Sequence, residues 1–214
     1  TGSLPSHALA KGLARKLWEG QVDLALVPVW EVLSRPGVRV LDGVAIGSKG
    51  PVRSVGVFHD RPIADCKTIE ITPHSATSVQ LWKLIAKHRG ISLVEKKPAD
   101  ARLLIGDVAL EEWSRRAGQG VLDLGQAWTE WTGKPFVYAV WALGPKAQGG
   151  QAGLDRFRAA CLEGIQKRAE LAKDPREKEY LTGCIQYGLG PEEKEGLAEF
   201  AKRAGVGKVE IQWV

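Results

Sequence analysis

The chain has 214 residues, 44% hydrophobic and 26% charged, with 30 Lys and Arg against 25 Asp and Glu and a formal net charge of +5. That is the composition of an ordinary folded protein, long enough for one large domain or two smaller lobes, and no apolar run approaches the roughly 20 residues that span a bilayer. The basic residues are mixed with acids and form no stripe interleaved with aromatics, so neither a nucleic acid nor a membrane is an expected partner, whereas a mild positive charge suits a small anionic substrate.

Ser6 caps a first helix whose stripe is Ala10, Leu13, Ala14 and Leu17 and whose stop is Gly20. Residues 22–27 read as a strand apolar enough for a parallel sheet covered on both faces. Val38–Val40, Val44–Ile46 and Val55–Phe58 read as further short strands, with a turn cluster over 47–51. Ile69–Ile71 forms another, followed by a helix with Val79, Trp82 and Ile85 in its stripe and Gly90 as its stop. Ala101–Ile105 predicts a strand, Leu110 and Trp113 a short helix, and 135–141 a longer strand. After Gly149-Gly150 the texture turns helical: one helix over Leu154–Ala172 up to the stop Asp174-Pro175, a second carrying Tyr180, and a third opened by Gly190-Pro191 and ending near Gly205. Strand–helix alternation followed by a helical tail predicts an α/β fold.

The most informative stretch is Thr68–Val79, where Thr72, Ser75, Thr77 and Ser78 crowd the first turn of the coming helix. Backbone N–H groups lack partners there and the helix dipole is positive, which makes a seat for a carboxylate or phosphate. An N-cap accounts for one such hydroxyl, and four suggest a ligand. This turn, the one at Gly106-Asp107 and the one at 28–30 all follow strands, where α/β folds place their ligands. Cys66, Cys161 and Cys184 are odd in number and far apart, and His7, His59, His74 and His88 show no metal-ligand spacing. No metal or redox pair is expected, no glycine-rich loop signals a nucleotide cofactor, and a reducing, cytoplasmic setting fits.

Five blocks occur in this order: 21–28 with Glu31, 50–55, 72–79, 104–107 and 128–141 (WTEWTGKPFVYAVW). Together they resemble the menaquinone-biosynthesis chorismate dehydratases of the futalosine pathway, the MqnA family, over nearly the whole chain. The resemblance implies a two-lobed periplasmic-binding-protein type 2-like fold with a helical C-terminal tail. Lobe one then comprises 1–58 and 140–214 and lobe two 59–139, with Val55–His59 and Phe136–Leu143 as crossover strands. Hinge bending is expected near 55–60, at Gly56, and near 138–145, before and at Gly144-Pro145, carrying the 72–78 turn toward lobe one. Family members open with a strand and a loop bearing an active-site asparagine. The sequence has no methionine, at position 1 or elsewhere, so those parts are expected ahead of Thr1.

The family removes water from chorismate to give 3-[(1-carboxyvinyl)oxy]benzoate. Aromatisation drives the reaction, so the protein mainly holds a dianion and assists proton transfer. By this resemblance Thr72, Ser75, Thr77 and Ser78 are substrate-binding candidates, and Ser54 is either a further polar contact or a turn residue. No residue is an evident base. His74 lies in the right segment, Asp107 either orients a donor or caps the next helix, and a carboxylate of the substrate itself is a third proton acceptor. Trp82 and Trp113 read as core, while Trp128 or Trp131 lines the cleft or packs the lobe junction. The oligomeric state is left open. Two other readings stay open: a non-catalytic binding protein for a small anionic solute, and a related enzyme acting on a different intermediate of the same pathway.

Overall fold

The computed structural model describes residues 6–71, 75–148, 150–207 and 209–214. Helix α1, Ser6–Trp18, buries Ala14 and Leu17. Strand β1, Leu24–Pro28, runs into helix α2, Val29–Leu33, and then come β2, Val38–Ser48, and β3, Val55–His59. Strand β4, Thr68–Glu70, precedes helix α3, Ala76–Arg89, and short β5, Val94–Glu95. Next are β6, Ala101–Ile105, α4, Gly106–Arg115, β7, Val121–Asp123, α5, Leu124–Thr132, and β8, Phe136–Leu143. The tail holds α6, Gln151–Gln166, α7, Arg168–Leu171, and α8, Pro175–Glu179, followed by a π-type turn over Tyr180–Cys184. Strand β9, Gln186–Leu189, helix α9, Pro191–Arg203, and strand β10, Ile211–Trp213, end the chain.

Local chemistry explains the main boundaries. Asp174 accepts the N–H groups of Arg176 and Glu177, with Pro175 at the first helical position, so α8 starts there. Helix α3 stops at Gly90, whose φ of 67° closes the left-handed cap. In α9 the Glu193 carboxylate reaches back to the Gly190 N–H at 2.9 Å.

The strands make two sheets. The first has the order β1-β8-β2-β10, with β9 also on β2; the second is β5-β4-β6-β3-β7. Strand β2 is one strand where the sequence suggests two, because register shifts at 40/45 and 46/47 absorb the interruption at Asp42-Gly43. Strand β1 is an edge strand antiparallel to β8, not a member of a parallel sheet. Its apolar continuity still has a cause: Ala25 and Val27 enter the main core, while Leu24 packs on a satellite cluster with Leu41 and Leu143.

The two strands expected to cross between lobes each pair within one sheet. Strand β3 pairs along its length with β6 and with β7, and β8 pairs with β1 and β2. The chain changes sheet in the short segments 49–54 and 133–135, ahead of both. Gly56 lies inside the paired strand β3, and Gly144 directly follows β8. Gly56 is a close-approach position, since a Cβ on it would lie 2.9 Å from Val121 Cγ2, and the Gly144 N–H is held by the Asp23 carbonyl at 2.8 Å.

One continuous core joins the two sheets. At its centre Trp128 is fully buried, edge-on to Trp131, Phe136 and Phe200, and its indole N–H donates to the Pro135 carbonyl at 3.2 Å. Trp128 thus sits against the second crossing segment. Side chains of this kind contribute about 3 kcal/mol or more each by burial and packing.

Candidate functional site

Three of the hydroxyls singled out in the sequence lie together at the start of α3. Ser75 is the N-cap: its Oγ accepts the Ser78 N–H at 3.1 Å, and the two hydroxyls lie 2.9 Å apart. Ser78 and Thr77 are buried. The Thr77 hydroxyl accepts the backbone N–H of Trp30 at 3.1 Å. Trp30 stands in the first turn of α2, so Thr77 satisfies an unpaired donor of a helix that follows the first sheet's edge strand. Two of the three strand ends are thereby joined by one hydrogen bond. Thr72 and His74 lie outside the described residues.

Beside this helix start is a cavity of about 440 Å³ lined by Arg15, Trp18, Pro28, Glu31, Arg35 and Ala76, among others. Its arginines are not free: Arg35 pairs with Glu31 at 2.7 Å and stacks over Trp18 at 4.7 Å.

Ser54 occupies a second group, in the first crossing segment. It is buried, its carbonyl accepts the Gly106 N–H at 2.8 Å, and its Oγ accepts the Tyr180 hydroxyl at 2.9 Å. Burial pushes the Tyr180 phenol up to about 12, so it stays protonated and donating at neutral pH. With Tyr180 as donor, the Ser54 proton is left to be given elsewhere. Asp107 is exposed at the second position of α4; the cap position is Ile105, with no side-chain cap, so the capping role expected for Asp107 is not the one it plays. Its charge at the helix start still complements the dipole.

The residue that organises this segment escaped the sequence reading. Asp123 is 7% exposed and ends β7. One carboxylate oxygen accepts the Gln126 N–H at 2.9 Å and so caps α5, and the other accepts the Arg53 N–H at 2.7 Å. The Val52 N–H lies 3.1 and 3.2 Å from the two oxygens. Burial raises the Asp123 pKa, and the backbone N–H groups oppose that rise. Arg53 is held with φ of 61°, a conformation that costs a residue with a Cβ about 1–2 kcal/mol. Gly50 is tied to the Thr129 hydroxyl at 2.8 Å, so α5 grips the crossing segment at two points. The only signal in the sequence was an Asp ahead of Leu-Gly-Gln, an ordinary cap pattern.

A larger cavity, about 840 Å³, adjoins this segment and is lined by Arg53, Asp107, Trp113, Lys173, Glu179 and Tyr180, among others. Among the described residues no hydrogen bond links Ser54 to the α3 hydroxyls. Of the two tryptophans left open by the sequence, Trp128 is core, and Trp131 stacks on His88 at 4.2 Å and has the Arg203 guanidinium over its ring at 3.9 Å. The three cysteines are free, and no cluster of three or more His, Cys, Asp or Glu is placed to hold a metal among the described residues. No helix among them is long and apolar enough to cross a membrane.

The chain is 28% identical over 233 residues to the chorismate dehydratase of Thermus thermophilus, covering 94% of this chain and 86% of that protein. Among solved structures it is similar to a protein from Archaeoglobus fulgidus, with a TM-score of 0.67 at 18% identity over 92% of this chain and 83% of that one. An ABC transporter protein from Parabacteroides distasonis gives 0.61 at 13%, over 94% and 79%. The alkanesulfonate-binding protein of Xanthomonas axonopodis, bound to MOPS, gives 0.51 at 13%, over 96% and 85%. At these identities the structural likenesses speak for the fold alone, which is that of the periplasmic binding proteins. Residues 7–205 match the family described as menaquinone biosynthesis, and the chain belongs to that family.

Proposed function

We propose that this protein is a chorismate dehydratase, a hydro-lyase that converts chorismate to 3-[(1-carboxyvinyl)oxy]benzoate and water. The observation that carries the reading is the likeness to the Thermus enzyme along nearly the full length of both chains. The site supports it, because a helix start furnished with Ser75 and Ser78 is suited to a carboxylate. In this reading the sheet containing β1, β2 and β8, with the tail, forms one lobe; the sheet containing β3, β4 and β6 forms the other; and the substrate lies between them.

The reaction breaks the C3–H and C4–O bonds of the ring. The C3 proton leaves, the electron pair forms the ring double bond, and hydroxide departs from C4. Hydroxide and proton together make the water, and the ring becomes aromatic. Tyr180 is already protonated at neutral pH and cannot accept the proton, and Asp107 is an exposed helix-start carboxylate. The enolpyruvyl carboxylate of the substrate is the proposed acceptor, with the protein fixing its approach to C3. Ser75 and Ser78 hold one carboxylate, and Ser54, its lone pair engaged by Tyr180, donates its proton to the substrate.

Incubation of the protein with chorismate tests this directly. A new aromatic product lighter than chorismate by one water, seen by absorbance and mass, is the expected result. Chorismate bound but recovered unchanged would make the protein an anion binder, and a protein that neither binds nor converts it would remove the reading.

A further inference from the structure

Arg53 and Glu179 face each other unequally. The Arg53 backbone is fixed in the left-handed region by the buried Asp123 carboxylate, and its side chain, 33% exposed, reaches the 840 Å³ cavity. There it pairs with Glu179 at 2.7 Å. Glu179 is 60% exposed at the end of the five-residue helix α8. The cation is built in from behind, whereas the anion is solvated and sits on the tail. On the same wall the next residue along each segment makes the Ser54–Tyr180 hydrogen bond. A carboxylate therefore already rests where the crossing segment presents a guanidinium next to a hydroxyl.

We propose that Arg53 is the receptor for one carboxylate of the substrate, and that Glu179 holds that place in the free protein and leaves it when substrate enters. The inference rests on the chorismate reading above. A guanidinium takes a carboxylate through two parallel hydrogen bonds, which a lysine cannot copy. An ion pair with one largely solvated member is cheap to exchange. The cavity also carries Asp107, Glu111, Asp174 and Glu177 against Lys173 and Arg176. Acids outnumber bases on these walls, so the lining offers no general positive field, and Arg53 is the cation whose backbone is fixed from behind by Asp123. Removing Glu179 therefore helps the substrate, and removing Arg53 hurts it.

The test uses the whole protein and four forms: wild type, Arg53→Gln, Arg53→Lys and Glu179→Gln. KM for chorismate is read by product absorbance, and affinity for the product dicarboxylate by calorimetry. Arg53→Gln is expected to raise both constants about tenfold, the scale of one charged hydrogen bond. Arg53→Lys should recover only part of that loss. Glu179→Gln should move both constants the opposite way, lowering them about threefold, on the scale of a solvated ion pair. If Glu179→Gln leaves the constants unchanged or raises them, the pair is a structural one and the inference is overturned. If Arg53→Gln fails to fold, the opposed directions of Arg53→Lys and Glu179→Gln still decide. An active wild type with unaltered Arg53 variants removes this inference alone; a wild type inert to chorismate removes the proposed function and, with it, this assignment.

Discussion

Asp123→Ala should be among the most destabilising single substitutions of a polar residue in this protein, although the side chain lines neither of the two cavities described above. The substitution strips the cap from α5, worth about 1 kcal/mol, and leaves the Val52 and Arg53 N–H groups facing an apolar gap, at about 1–3 kcal/mol each. Relief from burying a carboxylate offsets part of this, and the expected net loss is about 3 kcal/mol. Ser75→Ala is the control, because Ser75 caps α3 through a single backbone N–H and should cost about 1 kcal/mol. Urea unfolding followed by tryptophan fluorescence measures both, since fully buried Trp128 reports on the junction. Asp123→Asn adds a pH signature. Burial raises the folded-state pKa above the ordinary 3.8, so the folded protein binds this proton more tightly than the unfolded chain does. The stability of wild type relative to Asp123→Asn is therefore greatest below 3.8 and declines as pH rises through the raised value. A loss for Asp123→Ala no larger than for Ser75→Ala would refute the reasoning and reduce Asp123 to a helix cap.

Ser75→Ala and Ser78→Ala should each weaken chorismate binding by about 1–2 kcal/mol, read as KM and product affinity; unchanged affinity in both would leave these residues as caps. Tyr180→Phe should raise KM severalfold with little loss of stability, because it frees the Ser54 hydroxyl to rotate, and the wild-type pH–rate profile should show no Tyr180 limb below its value of about 12. Glu112 is gripped by Arg115 and Arg116, each at 2.7 Å, and its pKa falls from 4.5 to about 2. Its contribution to stability is therefore complete above 4.5 and is lost as pH falls through about 2. Glu112→Gln should lower stability at neutral pH and flatten the acid limb between those values in pH-dependent urea unfolding; an acid limb as steep as wild type would contradict this.

The elements that announced themselves in the sequence are those whose cause is local. Helix α3 was legible from a hydroxyl cap, an apolar stripe at helical spacing and a terminal glycine; Asp174-Pro175 read as the stop of the helix before it, and the structure makes it the start of α8. Short β7 and α5 were not: Val121–Asp123 is three residues long, and α5 is a nine-residue helix with no charged residue in its first turn and a cap at Asp123 that looks ordinary in sequence. Strand β1 read as parallel because its two faces meet two different clusters, and a one-dimensional pattern records coverage but not strand direction.

The site divides along the same line. Ser75 and Ser78 were visible because their partners lie within four residues. Thr77 was counted with them, yet its partner is the Trp30 N–H, 47 positions away, and no local pattern carries that information. Asp123 is the stronger case. Its role is to accept two N–H groups of a segment about 70 positions earlier, and that role exists only once β3 and β7 are paired side by side. The pairing places the end of β7 against the start of β3, where the chain has just left the other sheet. A carboxylate there fixes the crossing segment, and through it the direction in which Arg53 and Ser54 point. What the sequence displays is thus the half of the site that folds on itself; the half that depends on strand pairing sets the geometry in which the first half works.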